Sequence, residues 1–325
     1  LREKRLVAVC EHIFADDPLR LMRAPRFCHT LGFELADDLV GSIRDEAPRL
    51  MGAAVERVVS EMCLTLAAAR SAEAVELWHE LGLLQVLLPE KAPEESINAR
   101  EQGAGVAETE ELSATLGLLS GLDDLLDRPE KWFPGAGELL ATRWKEPVDG
   151  LVERPVALRL AGLLHGLAVG ESQAVGRRLK LSRPMLSLLT TVSRALGIPV
   201  PALTAPTREA VLFLWESAPW EPESIAVASA VAALTDKGGD EHPSLGEERL
   251  GAGRRLMSLW AERARKGVPQ PPLNGDTLMR ELGLDSGPTV GRALREVRLA
   301  WESGETVTAG EALAVARSAL SPEQG

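Results

Sequence analysis

The sequence has 325 residues, of which 45% are hydrophobic and 26% are charged, and its formal net charge is −12. Such a charge excludes a nucleic-acid-binding surface that covers the whole molecule, because affinity for phosphates comes from lysine and arginine. RNA could bind only along a local basic stripe. With no tyrosine and 4% aromatic residues, stacking on unpaired bases is not expected to be the main mode of recognition.

No apolar run reaches the roughly 18 residues that a membrane span needs, so no membrane partner is expected. The residues after Leu1 do not form a signal peptide, and the absence of an initiating methionine predicts that the sequence starts inside a longer protein. Cys10, Cys28 and Cys63 lack the spacing of a zinc site. Free thiols indicate a reduced, cytoplasmic location.

Apolar residues repeat with the period of an α-helix along most of the chain. One apolar stripe predicts a helix over residues 55–66, and a second predicts a helix over residues 116–126. Residues 156–167 are apolar almost all round, which predicts a central buried helix. No run alternates with a period of two, so the sequence predicts an all-α fold.

Proline, glycine and polar residues interrupt this helical pattern at four places. The first is a polar, acidic segment that predicts a linker over residues 91–111. The others predict a break over residues 198–206, a long loop over residues 235–248 and a loop over residues 266–275.

The most informative stretch lies near the start of the chain. Asp16 or Asp17 can cap a helix whose first turn contains Pro18, and Arg20 then lies on the same face as Asp17. Cytosine and adenine both present an amino donor beside a ring-nitrogen acceptor, so a fixed carboxylate and guanidinium could select them over guanine and uracil. The alternative is a helix cap followed by an arginine face in water.

The residues that follow resemble the neck of class II tRNA nucleotidyltransferases, the CCA-adding enzymes and their poly(A) polymerase relatives. The matching residues, in chain order, are Asp16, Asp17, Arg20, Arg23, Arg26, Phe27, Leu31–Phe33, Glu56–Val58, Glu61, Leu81–Leu84 and Leu87–Glu90. The resemblance implies that Asp17 and Arg20 bind the nucleotide base, supported by Asp16 and Arg23. Two residues depart from the family pattern: Asp16 replaces a glutamate, and Pro25 is expected to bend the helix.

The same resemblance implies an elongated, multi-helical molecule in three parts. Residues 1–90 would form the neck with the nucleotide-selecting helix, and residues 91–200 a degenerate HD-like body. The body helix around His165 resembles the metal-binding helix of HD phosphohydrolases, but Gly166 and Ala114 stand where metal ligands are expected. We therefore predict no metal site there and interpret His165 as a buried, hydrogen-bonded histidine.

Residues 201–325 would form a helical, RNA-binding tail. Asp276 is expected to cap a helix that ends at Gly283, and Gly287 and Pro288 to open the next one, with Gly291 allowing a close backbone approach. Residues 253–298 carry nine Lys/Arg against five Asp/Glu, a net charge of +4. The residues expected to contact RNA are Arg280, Gly287, Gly291, Arg292 and Arg295. The alternative is a helix-turn-helix packed for stability only.

Nucleotidyl transfer needs paired carboxylates that hold metal ions, and the sequence contains no Asp-x-Asp. The resemblance begins where the catalytic head of the family should end, so Mg²⁺ is expected in a head that is missing or supplied separately. It implies the nucleotide-selecting and tRNA-binding portion of an enzyme that extends tRNA 3′ ends with CTP and ATP. The alternatives are a poly(A) polymerase, a headless RNA-binding module without catalysis, and a helical scaffold that binds protein.

Overall fold

The computed structural model describes residues 4–10, 12–89, 105–150, 152–197, 207–234 and 245–320. Within these ranges the chain is almost entirely helical, which confirms the all-α prediction. One short exception is the parallel pair of β1 (Arg5–Leu6) and β2 (Glu34–Leu35). Two residues per strand are too few to show the alternation by which a strand is found in a sequence.

The N-terminal helices surround the stretch that the sequence marks as most informative. They are α1 (Ile13–Asp16), α2 (Arg20–Leu31), α3 (Asp37–Glu46), a 3₁₀ turn (Ala47–Gly52), α4 (Val55–Leu66), α5 (Ser71–Glu80) and α6 (Leu83–Leu87). The predicted stripe forms α4 and buries Val58, Met62 and Leu66. Helix α2 continues through the buried Pro25 to Leu31.

The middle of the chain is organised around one buried helix. Its elements are α7 (Gly105–Asp127), α8 (Pro129–Trp132), α9 (Gly137–Arg143), α10 (Arg154–Leu163), α11 (Val169–Arg178) and α12 (Arg183–Leu196). Every residue of α10 except the partly buried Pro155 is buried, as predicted, although the helix stops at Leu163 and not at 167. The predicted linker over 91–111 is too long, because α7 already begins at Gly105.

The C-terminal part consists of α13 (Thr207–Ser217), α14 (Glu221–Leu234), α15 (Leu245–Lys266), α16 (Gly275–Leu282), α17 (Pro288–Glu302) and α18 (Ala309–Leu320). The break predicted over 198–206 lies outside the described residues, as does 235–244, whereas 245–248 are helical. The loop between α15 and α16 is present as predicted. Asn274, and not Asp276, caps α16: its side chain accepts a hydrogen bond from the Thr277 amide at 2.8 Å.

Two hydrophobic cores lie along the described chain. The larger contains buried residues from Phe14 to Ala261, and the smaller joins α16, α17 and α18 through residues such as Leu278 and Val297. The domain boundaries at 90 and 200 stay a prediction. None of the described helices combines the length and the hydropathy that a bilayer crossing needs.

Arg159 connects the N-terminal helices to α7 and α10. Its Nε lies 2.7 Å from Asp123 Oδ1, and its Nη1 donates to the Leu66 carbonyl at 2.8 Å. Asp123 also accepts hydrogen bonds from the amide of Ser71 at 2.6 Å and from its hydroxyl at 3.0 Å. The guanidinium is almost fully buried, so this network fixes the end of α4 and the start of α5 against the central helix.

Cysteine reactivity provides a test of this packing. Cys28 in α2 and Cys63 in α4 are partly buried, and this burial raises the pKa of both thiols to about 11, whereas Cys10 is exposed. Because only the thiolate reacts, on the order of one buried thiol in a thousand is ionised at pH 8. With Ellman's reagent at pH 8, one thiol should react rapidly and two slowly, and all three rapidly in urea. Three equally fast thiols in the folded protein would contradict the packing of α2 against α4.

Candidate functional site

Asp17 lies in the connection between α1 and α2. Its backbone is extended, with φ −147° and ψ 96°, and its Oδ1 accepts a hydrogen bond from the Leu19 amide at 3.3 Å. The sequence placed this residue or Asp16 at the cap of the next helix, with Pro18 in the first turn. Instead, Asp16 ends α1, Leu19 occupies the cap position without a side-chain cap bond, and α2 begins at Arg20.

The structure does not bring the side chains of Asp17 and Arg20 together. Asp17 lies 3.5 Å from Arg23 Nη1 and 3.7 Å from Arg57 Nη2, while Arg20 Nη1 donates to the Ile13 carbonyl at 3.0 Å. The Asp17 side chain is 23% exposed, and both ion pairs are longer than a good hydrogen bond. Such loose, partly hydrated pairs contribute little energy, so a ligand can replace them at small cost. That Asp17 and Arg20 meet one base edge stays a prediction.

A buried carboxylate, Glu61 of α4, fixes the arginine face of α2. Its Oε1 accepts from Arg23 Nε at 3.0 Å and its Oε2 from Arg26 Nε at 2.7 Å, while its side chain is only 8% exposed. Arg26 also lies over the ring of Phe27, 4.5 Å from its centre. Arg23 therefore bridges Glu61 and Asp17, and its part in nucleotide binding stays a prediction.

The sequence did not predict that Arg57 lies next to Asp17, or that Glu61 binds the arginine next to Asp17. Both residues belong to the matched neck pattern, but α2 and α4 are separated by more than twenty residues of chain. The available signal was the spacing of four between Arg57 and Glu61, which places both on one face of α4. Only the packing of α4 against α2 shows that this face meets the arginines of α2.

Two residues of the body occupy positions at which HD phosphohydrolases are expected to carry metal ligands. His165 is half-buried just beyond the end of α10, and Ala114 is exposed on α7. Across the described ranges, no group of three or more His, Cys, Asp or Glu side chains is arranged to hold a metal ion. The absence of a metal site in the body stays a prediction.

The five candidate RNA contacts of the tail lie around the turn between α16 and α17. Arg280, Gly287, Gly291, Arg292 and Arg295 are all exposed. The helix ends at Gly283 with φ +65°, and α17 opens at Pro288 with Gly287 at its cap, both as predicted. No described part of the chain approaches Gly291 closely, since a β-carbon there would meet no atom within 4 Å.

Much of the positive charge counted over 253–298 is engaged inside the molecule. Arg263 Nη2 lies 2.9 Å and Arg298 Nε 2.6 Å from the carboxylate of the buried Glu302. Arg254 and Arg265 donate to the backbone carbonyls of residues 132 and 135. Arg292 and Arg295, by contrast, make no ion pair with any described residue, so they remain available to a ligand.

Comparison with family models gives one match within the neck. Residues 32–94 match the model described as "Probable RNA and SrmB- binding site of polymerase A". The matched segment begins just after α2 and includes α3 to α6, so Arg57 and Glu61 lie inside it.

Curated relatives extend this similarity along the chain. A CCA-adding enzyme of Geobacillus thermodenitrificans is 36% identical over 180 residues, which cover 51% of this chain and 44% of the relative. A CC-adding tRNA nucleotidyltransferase of Geobacter sulfurreducens is 28% identical, covering 95% of this chain and 65% of the relative. An A-adding tRNA nucleotidyltransferase of Deinococcus radiodurans is 27% identical, covering 97% of this chain and 71% of the relative. The chain thus spans about half to two thirds of the length of the first two.

Solved structures show the same fold. The Thermotoga maritima CCA-adding enzyme complexed with tRNA superposes with a TM-score of 0.54 at 18% identity, covering 98% of this chain and 65% of that one. A CCA-adding enzyme complexed with ATP gives a TM-score of 0.62 at 17% identity, covering 100% of this chain and 64% of that one. At this level of identity the likeness concerns the fold alone.

Proposed function

The chain belongs to the class II tRNA nucleotidyltransferase family, and from that premise we propose that it is the nucleotide-selecting and tRNA-binding part of an enzyme that extends tRNA 3′ ends with CTP and ATP. The observation that carries the proposal is the alignment of 95% of the chain with a CC-adding enzyme and 97% with an A-adding one. The match of residues 32–94 to an RNA-binding model supports the tRNA contact.

In this proposal the connection between α1 and α2 selects the base. The carboxylate of Asp17 accepts a hydrogen bond from the amino group of cytosine or adenine, and the guanidinium of Arg20 donates to the neighbouring ring nitrogen. Guanine and uracil present a carbonyl and an N–H at these positions, so they leave both protein groups unpaired. Arg23 and Arg57 lie 3.5 Å and 3.7 Å from the Asp17 carboxylate, and the buried Glu61 fixes Arg23.

The transfer step itself needs metal ions held by paired carboxylates. We assign Mg²⁺ and that step to a nucleotidyltransferase head outside the described residues, in the same protein or a separate one. The contribution of this chain is to choose the nucleotide and to bind the tRNA.

The function is tested with the complete gene product and a tRNA that lacks its 3′ end. Each nucleoside triphosphate is offered alone and then in mixtures, and the extended RNA is sequenced. Incorporation of both CTP and ATP supports a CCA-adding enzyme. Since the relatives include both CC-adding and A-adding enzymes, incorporation of CTP alone or ATP alone identifies a partial reaction. A long adenylate tail indicates a poly(A) polymerase, and no incorporation contradicts the proposal.

The role of the tail is tested on the 325-residue chain itself by measuring tRNA binding. Arg292→Glu with Arg295→Glu should weaken binding on the order of tenfold at low salt, because two exposed guanidiniums are lost as phosphate partners. The matched control is Arg128→Glu with Lys145→Glu, an equal charge change at two exposed positions that follow α7 and α9. If both double variants bind tRNA equally well, the tail does not contact it through α17.

A further inference from the structure

One segment of the body contains basic residues and no acidic residue. Residues 172–197, which include most of α11 and all of α12, contain five Arg or Lys residues and no Asp or Glu. The whole chain carries a net charge of −12, so this segment departs strongly from its surroundings. The five cations are Arg177, Arg178, Lys180, Arg183 and Arg194.

Only two of these five cations have an evident structural role. Arg178 Nη2 donates to the Leu87 carbonyl at 2.8 Å, and Lys180 Nζ lies 2.6 Å from Glu56 Oε1. The side chains of Arg177, Arg183 and Arg194 are exposed and form no hydrogen bond or ion pair with the described residues. Because the fold does not engage these three guanidiniums, they are free for an external anion.

Two of the free arginines line the same surface trough. Arg177 on α11 and Arg194 on α12 line an open trough of about 400 Å³, together with the polar side chains of Gln173 and Thr190. The two helices approach closely there, since a β-carbon at Gly176 would collide with a side chain of α12. Close helix packing gives the trough a rigid floor, with its charged groups at the surface.

We propose that this trough, defined by Gln173, Arg177, Thr190 and Arg194, binds the phosphate backbone of RNA. The inference rests on the proposed function, since it names an additional surface for the same tRNA. Guanidinium groups bind phosphate oxygens through two parallel hydrogen bonds, and the Gln173 amide adds a neutral N–H donor beside the one that it directs to Thr190 Oγ1. None of the large hydrophobic side chains exposed in the described chain lies on α11 or α12, which favours RNA over an apolar protein partner.

The position of the trough agrees with a continuous RNA surface. The C-terminal end of α11 touches the neck through the Arg178–Leu87 hydrogen bond and the Lys180–Glu56 ion pair that follows. Both neck residues lie inside the segment that matches the RNA-binding model. A phosphate backbone that crosses this part of the neck would thus reach α11 next.

The test measures tRNA binding by the 325-residue chain over a series of KCl concentrations. Arg177→Glu with Arg194→Glu should weaken binding on the order of tenfold at low salt and lower the slope of log K against log [KCl] by about two. The control is again Arg128→Glu with Lys145→Glu, which should leave the slope unchanged. Circular dichroism verifies that each variant has the helical content of the unaltered chain.

The outcomes separate this inference from the proposed function. If the unaltered chain binds tRNA and the trough variant keeps both its affinity and its salt slope, the trough does not bind RNA but the proposed function stands. If the trough variant and the control lose affinity equally, the effect is one of net charge, and the inference is again overturned. If the unaltered chain does not bind tRNA, both fail.

Discussion

Asp17→Ala in the complete gene product is expected to remove the preference for CTP and ATP over GTP and UTP. The change deletes the acceptor that we assign to the base amino group, so incorporation of CTP and ATP should fall by about 10- to 100-fold, which corresponds to one lost charged hydrogen bond. Binding of tRNA should be preserved, because Asp17 carries no positive charge. Single-nucleotide incorporation kinetics with all four triphosphates measure the ratio of the rates with CTP and ATP to the rates with GTP and UTP.

The control for this experiment is Asp45→Ala, which removes an exposed carboxylate from α3 in the same neck. Arg20→Ala should behave like Asp17→Ala, since it removes the other half of the base contact. Should Asp17→Ala retain both its rate and its selectivity, the connection between α1 and α2 does not select the nucleotide. If only tRNA binding is lost, the residue has a different role.

Arg159→Ala should lower the free energy of unfolding by about 3–5 kcal/mol, because it breaks a largely buried ion pair and leaves its partner uncompensated. The guanidinium lies 2.7 Å from Asp123 and 2.8 Å from the Leu66 carbonyl, and its side chain is only 7% exposed. Without it, Asp123 keeps only its bonds to Ser71, and the backbone at the end of α4 loses a donor. Urea denaturation followed by circular dichroism measures the change.

The matched control is Arg128→Ala, which changes the residue directly after α7. Arg128 pairs with Asp124, but its side chain is 59% exposed, so its removal should cost less than about 1 kcal/mol. Arg159→Lys should have an intermediate effect, because one ammonium cannot reach both the carboxylate and the carbonyl in the same geometry. Equal stability of the Arg159 and Arg128 variants would show that the network does not join the neck to α10.

The sequence by itself determined the helices and many of their ends. The stripe over 55–66 forms α4, the apolar run forms the buried α10, and Gly283 and Gly287–Pro288 separate α16 from α17. These features depend on side chains a few residues apart, so periodicity and capping rules can read them. The predicted helix starts were wrong by a few residues where two neighbouring residues could each act as the N-cap, as before Arg20 and at Asn274.

Only the tertiary structure decided which charges are available. Asp17 pairs with Arg23 and Arg57 and not with Arg20, and Glu61 holds the arginines of α2 from 35 and 38 residues away. The basic count over 253–298 includes arginines bound to Glu302 and to distant carbonyls, while the free arginines of α11 and α12 went unnoticed. Charge in a sequence is a sum over residues, but affinity for a ligand depends on which cations the fold leaves unpaired, and that is settled by packing between distant helices.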